Sequence, residues 1–158
     1  MEMPIPHDNS NIVSSWDVLN GQEVTGDCVV IGGGLVGAET AEYLANKGHQ
    51  VTIVEMMDKI AAGESTTVLP LMMKDFADHN VKQLVNTKVD HIENNIVYTA
   101  NDQIKADTII NALGSKKNIF DDSSITIPHV CVGDCSGERT ADIASAIRTA
   151  YKAANAID

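Results

Sequence analysis

Apolar and polar positions along this chain alternate between two periods. Cys28-Val29-Val30-Ile31 is a short, wholly apolar run, the pattern of a strand buried on both faces of a parallel sheet. From Leu35 to Lys47 the residues Leu35, Ala38, Ala41, Tyr43, Leu44 and Ala45 gather on one helical face, and Gly48 follows where a C-terminal helix glycine belongs. Val51 to Val54 predicts a second strand, and Met56 to Gly63 a loop. A second helix is predicted to about His79 through Leu69, Leu71, Met72, Met73 and Phe76, with Ser65 or Thr66 as its cap. Pro70 implies a kink or a later start in it, and the paired methionines belong to the core.

Val81 to Val85 reads as a third strand. Val89 to Ile92 and Ile96 to Tyr98, separated by turns at Asn94-Asn95 and Ala100-Asn101-Asp102, predict a small antiparallel meander. Ile104 to Asn111 then reads as one more buried strand, and Ile125 to Val132 as a strand split by Pro128 with Cys131 inside it. The last helix, about Thr140 to Ile157, places Ile143, Ala144, Ile147, Ala150, Tyr151 and Ala154 on a helical period. Residues 1–25 form an irregular lead-in with one helical turn near Ser14 to Leu19, a turn at Asn20-Gly21, and Trp16 as its structural anchor. These elements predict an α/β chain of Rossmann-like type, with a central parallel sheet and a small antiparallel meander.

Composition narrows the classes. With 158 residues and 44% hydrophobic content the chain can bury a real core, and at 4% aromatic that core is aliphatic and alanine-rich. A net charge of −11 argues against nucleic acid or an anionic membrane surface as partner. No apolar run approaches the ~20 residues that span a bilayer, and the opening MEMPIPHDNS lacks the regions of a signal peptide, so a cytoplasmic location is expected. The three cysteines, Cys28, Cys131 and Cys135, are an odd number without a secretion signal and form no disulfide framework or CxxC pair. The five histidines show no metal-ligand spacing, and Lys116-Lys117-Asn118 reads as a solvated loop.

The chemistry concentrates where the first strand meets the first helix. Gly32, Gly34 and Gly37 follow the spacing G-x-G-x-x-G, within the run Gly32-Gly33-Gly34-Leu35-Val36-Gly37. The first glycine permits a tight turn, the second lets backbone approach a pyrophosphate, and the third packs helix on strand. The helix start offers unpaired N–H groups to phosphates. Glu55 ends the second strand 21 positions after Gly34, near the ~20 expected of a carboxylate that binds a ribose 2′-hydroxyl. That charge repels a 2′-phosphate, and Met56-Met57 supplies no arginine to receive one, so NADH is expected over NADPH. Glu39 falls either near the nicotinamide end or in a solvated or packing role.

Three further segments extend the picture. Gly32 to Thr40, Val51 to Glu55, Ala112-Leu113-Gly114 and Val132-Gly133-Asp134-Cys135 resemble successive signatures of flavoprotein reductases with two dinucleotide-binding domains. Ser15-Trp16-Asp17-Val18-Leu19 narrows this. The chain resembles the C-terminal part of NADH:flavin oxidoreductases of the 2,4-dienoyl-CoA reductase, enoate reductase and trimethylamine dehydrogenase group. The resemblance implies a lead-in at residues 1–25, an NAD(H)-binding domain at 26–118, and the returning tail of an incomplete FAD-binding domain at 119–158. It implies that Val89 abuts the adenine, that Ala112, Leu113 and Gly114 close over the dinucleotide, and that Gly133 and Asp134 hold FAD near its ribityl or pyrophosphate region. It further implies FMN and an iron–sulfur cluster on domains this chain lacks, and an enoyl-, dienoyl-CoA or enoate-type substrate for the parent protein. A non-catalytic nucleotide-binding module and part of a pyridine nucleotide–disulfide reductase are the competing functions. A methyltransferase leaves Gly133-Asp134 unexplained.

Overall fold

The computed structural model describes residues 3–62, 67–114, 121–136 and 143–157. The predicted cap at Ser65 or Thr66, the Lys116-Lys117-Asn118 loop and the start of the last helix at Thr140 lie outside them. The chain forms two units, Met1–Gly114 and Ser115–Asp158.

In the first unit the elements run β1 (Ile12–Ser14), α1 (Ser15–Leu19), β2 (Cys28–Ile31), α2 (Leu35–Asn46), β3 (Val51–Val54), α3 (Leu69–Asp78), β4 (Lys82–Leu84), β5 (Val89–Glu93), β6 (Ile96–Thr99), β7 (Gln103–Lys105) and β8 (Thr108–Asn111). A five-stranded sheet has the order β1-β8-β2-β3-β4, with every neighbouring pair parallel. Strands β5, β6 and β7 form the antiparallel meander.

The sheet is covered on both faces, which explains its unbroken apolar runs. Side chains alternate across it. Cys28, Val30, Val51, Ile53 and Ile110 join Ala38, Ala41 and Leu44 of α2 and Met72 and Phe76 of α3 in one core cluster. Val29, Ile31, Val54 and Ile109 join Val89, Ile92 and Val97 of the meander in the other. Each fully buried aliphatic side chain contributes about 1.5–3 kcal/mol.

Helix ends follow local chemistry. After α2, Gly48 takes φ +92°. Its N–H donates to Ala45 O at 2.9 Å, while the His49 N–H donates to Leu44 O at 3.2 Å. Asn80 does the same after α3, at φ +55°, with the Val81 N–H donating to Phe76 O at 2.8 Å. Pro70 sits in the first turn of α3, where no i→i−4 donor is needed, so the helix starts late and is not kinked there. Asn94 and Asn95, at φ +53° and +58°, make the two-residue hairpin between β5 and β6.

Four expectations need correction. The lead-in is not wholly irregular, because Ile12–Ser14 pairs with β8 as an edge strand, and the Ser14 Oγ accepts from the Trp16 N–H at the start of α1. Trp16 is not the buried residue of that turn; it is 52% exposed, while Val18 is fully buried. The segment read as one strand from Ile104 is two, because Ala106 and Asp107 turn the chain from the meander back into the parallel sheet.

The fourth concerns the second unit. Residues 125–132 form no strand, and Cys131 lies in irregular chain; no strand pairs with this segment among the described residues, and Ile127 and Val130 are exposed. The unit holds a short 3-10 turn, Gly133–Cys135, and helix α4, Ile143–Ala154. The periodic apolar stripe of α4 is present but uncovered: Ile143, Ile147 and Tyr151 are 81%, 64% and 69% exposed. No helix among the described residues is long and apolar enough to cross a membrane.

Candidate dinucleotide site

Three chain segments leave the sheet side by side. Ile31 of β2 is in register with Val54 of β3 on one side and with Asn111 of β8 on the other. Because all three strands are parallel, the residues after them share one edge: Gly32-Gly33-Gly34, Glu55-Met56 and Ala112-Leu113-Gly114. From β2 the chain proceeds through α2 to β3 on one flank, and β8 returns on the other. This is a topological switch point, where open α/β sheets bind ligands.

The glycines differ in why they are glycine. Gly32 has φ +102°, and a Cβ there would lie 2.7 Å from Ala112 O. A Cβ on Gly37 would lie 1.9 Å from Gly32 O, so helix and turn touch backbone to backbone. At Gly33 a Cβ would meet the Ile60 Cδ1 at 2.5 Å. Gly34 is different. Its φ of −65° suits any residue, and a Cβ there meets nothing within 4 Å. Neither packing nor conformation requires glycine at that position, which faces outward at the start of α2.

The start of α2 is open in a second sense. No side chain caps it and no acidic residue occupies its first turn. The N–H groups of Leu35, Val36 and Gly37 precede the first helical bond, which runs from Ala38 N–H to Gly34 O at 2.9 Å. A twelve-residue helix thus points its positive end, unneutralised, at the space beside Gly34.

Glu55 borders that space. Its Oε2 accepts from the Gly33 N–H at 2.6 Å and its Oε1 from the Met57 N–H at 2.7 Å. Two backbone donors therefore fix the carboxylate. An ionised carboxylate has about four acceptor sites, so roughly two remain for hydroxyls. Met56 and Met57 are both exposed beside it. Ala112 underlies Gly32, its N–H donating to Ile31 O at 2.9 Å, while the Asn111 Oδ1 accepts from the Leu113 N–H at 3.1 Å and sets the turn to Gly114. Val89 is only 7% exposed and packs in the cluster that holds Val54, Ile92 and Leu113.

Sequence reasoning passed over the clamp on this loop. The Ala61 N–H donates to Gly33 O at 2.7 Å, and Ile60 covers Gly33 from the side. The Asn86 and Thr87 N–H groups donate to Met57 O and Glu55 O at 2.8 and 2.9 Å, tying the segment after β3 to the one after β4. Asn86 at φ +51° is the signal available in the sequence, since asparagine tolerates that region.

In the second unit, Gly133 takes φ +67° and its N–H donates to the Thr149 Oγ1 at 2.9 Å, fixing the 3-10 turn on α4. Asp134 follows it, exposed. No group of three or more metal-ligating side chains is present among the described residues.

The family profile of the pyridine nucleotide-disulphide oxidoreductases matches residues 3–129. This chain belongs to that family. Its members are flavoproteins that bind FAD and a pyridine nucleotide. The chain is 44% identical over 161 residues to a bilirubin reductase of Mediterraneibacter gnavus (strain CC55_001C), covering 97% of this chain and 24% of that protein. It is 54% identical over 57 residues to an NADH oxidase of Thermoanaerobacter brockii, covering 34% of this chain and 9% of that protein. Among solved structures, a 2-naphthoyl-CoA reductase bound to 2-naphthoyl-CoA superposes with a TM-score of 0.81 at 28% identity, over 99% of this chain and 25% of that one. The chain thus spans about a quarter of the length of the bilirubin reductase and the naphthoyl-CoA reductase.

Proposed function

We propose that this chain is the NADH-holding portion of a larger flavin-dependent oxidoreductase, the port at which reducing equivalents enter. The observation that carries this reading is Gly34, a glycine that the protein itself does not need, at an uncapped helix start beside a fixed carboxylate. A pyrophosphate approaching the Gly34 backbone would meet the N–H groups of Leu35 and Val36, and Glu55 would accept from the adenosine ribose hydroxyls. Met56, Val89 and Ala112-Leu113-Gly114 would line the remainder. Bound NADH supplies a hydride; the residues here orient it and select it over NADPH by the Glu55 charge.

Residues 26–118 would form this nucleotide domain and 119–158 a tail completing an FAD site elsewhere in the parent protein, with Gly133 and Asp134 toward the flavin. The uncovered stripe of α4 supports this, since it presents a helical face that the missing flavin domain would bury. FMN and an iron–sulfur cluster would reside on other missing segments. The relation to a 2-naphthoyl-CoA reductase favours an unsaturated acyl-CoA or enoate substrate for the whole protein.

Calorimetric titration of this chain with NADH, NADPH and FAD tests the proposal. NADH should bind more tightly than NADPH, and FAD weakly if at all. NADPH binding more tightly than NADH would overturn the assignment of Glu55.

A further inference from the structure

Gly33 is held from three sides by the loop that follows β3. Its N–H donates to the Glu55 Oε2 at 2.6 Å, and its carbonyl accepts from the Ala61 N–H at 2.7 Å. The space where a Cβ would stand is filled by Ile60, whose Cδ1 lies 2.5 Å from that point. Ile60 and Ala61 are 6% and 0% exposed and belong to the core cluster that holds Ala38 and Leu44 of α2, so both are anchored in the body of the unit. Ala61 also takes φ +51°. A residue with a side chain is strained in that region and persists there only where its surroundings fix it, a condition that recurs at ligand clamps. Burial and the bond to Gly33 do the fixing here. One end of the loop thus supplies Glu55, which depends on the place of the Gly33 N–H, and the other end sets that place.

We propose that Ile60 and Ala61 are positioning residues that set the choice between NADH and NADPH, by fixing Gly33 so that the Glu55 carboxylate is aimed at the adenosine ribose. The proposal rests on the reading of this sheet edge as an NADH site. Neither residue needs to touch the nucleotide. A carboxylate held by backbone donors presents its remaining lone pairs in one place and loses little freedom when hydroxyls bind. The same fixed charge opposes a 2′-phosphate arriving at that place. With Gly33 released, the charge of Glu55 remains but its aim is lost, so NADH loses more than NADPH does.

Four variants of the full chain test this. Ile60→Ala empties the space beside Gly33, Ile60→Val removes only the δ carbon, and Ile60→Leu keeps one. Val81→Ala, in the same core cluster but outside the loop, reports plain loss of packing. Each is titrated calorimetrically with NADH and with NADPH, and its amide hydrogen exchange is followed by NMR. In Ile60→Ala the NADH affinity should fall about tenfold, as for one weakened charge-assisted hydrogen bond, with NADPH affinity within about twofold of wild type. Ile60→Val should move the ratio the same way by a smaller factor, and carries the comparison should Ile60→Ala not fold. Ile60→Leu should keep the wild-type ratio, and so should Val81→Ala. The Gly33 and Ala61 amides should exchange faster in Ile60→Ala by a larger factor than those of Val30 and Ile53 in the sheet. A wild-type chain with no preference for NADH removes the site reading and this proposal with it. A wild-type preference for NADH that survives in both Ile60→Ala and Ile60→Val, or that falls equally in Val81→Ala, overturns this proposal alone, as does Gly33 exchange that rises no more than that of Val30.

Discussion

Adding one methyl at Gly34 separates ligand binding from folding. In Gly34→Ala the new Cβ meets no protein atom within 4 Å, and φ −65°, ψ −175° is open to alanine. Restricting the unfolded chain stabilises by about 0.4–1 kcal/mol, while alanine is a poorer N-cap than glycine, which costs a similar amount. The two effects offset to within about 0.5 kcal/mol, so the melting temperature should move by no more than about 2 °C. The same methyl would stand between the loop and an incoming pyrophosphate. Losing one charge-assisted N–H···O bond costs about 1.5–3 kcal/mol, so NADH affinity should fall roughly 10- to 100-fold. Gly37→Ala is the counterpart, since its methyl would lie 1.9 Å from Gly32 O, deep in backbone contact. It should destabilise by about 1–3 kcal/mol or more. Thermal unfolding by circular dichroism and calorimetric titration with NADH, on both variants, give the comparison. Undiminished NADH affinity in Gly34→Ala, or a loss of stability there equal to that of Gly37→Ala, would refute the reasoning.

Glu55→Ala should weaken NADH, narrow its preference over NADPH, and cost about 1–3 kcal/mol because the Gly33 and Met57 amides lose their acceptor; titration and denaturant unfolding measure both. Phe76→Ala, at a residue 1% exposed between α3 and the sheet, should cost about 3–5 kcal/mol in urea unfolding. The Ile127 carbonyl and then the Asp122 carboxylate hold the His129 imidazole above its ordinary 6.5. Its small contribution to stability is therefore complete below pH 6.5 and fades as pH rises through the higher folded value. An NMR titration of the ring should show the raised midpoint, and Asp122→Asn should lower it.

Where local pattern and tertiary burial agree, the sequence was legible. Strands β2 and β3 are apolar because both sheet faces are covered, α2 carries its alanines where it meets the sheet, and Gly48 ends it for steric reasons. The glycine spacing and Glu55 could be placed on one sheet edge because each follows directly from an adjoining strand. What stayed hidden depended on distant partners. Ile12–Ser14 is too short for alternation to register, and becomes a strand only because β8 lies beside it. Ile60 and Ala61 look like ordinary loop residues, and their grip on Gly33 exists only in three dimensions. Apolar periodicity predicted burial for the face of α4 and strand structure for residues 125–132, but periodicity does not specify which chain segment does the covering.

The pairing of β2 also bears on how the chain acquires its fold. Cys28 is in register with Val51, one helix further along, and with Thr108, nearly a whole unit away. During synthesis the β2-α2-β3 segment can assemble early, but one edge of β2 must wait for the meander to emerge and β8 to arrive. Only then can the lead-in strand β1 dock on the far side of β8. Closure of the sheet is therefore a late, non-local event, of the kind that slows folding and leaves a nascent strand edge open to misassociation.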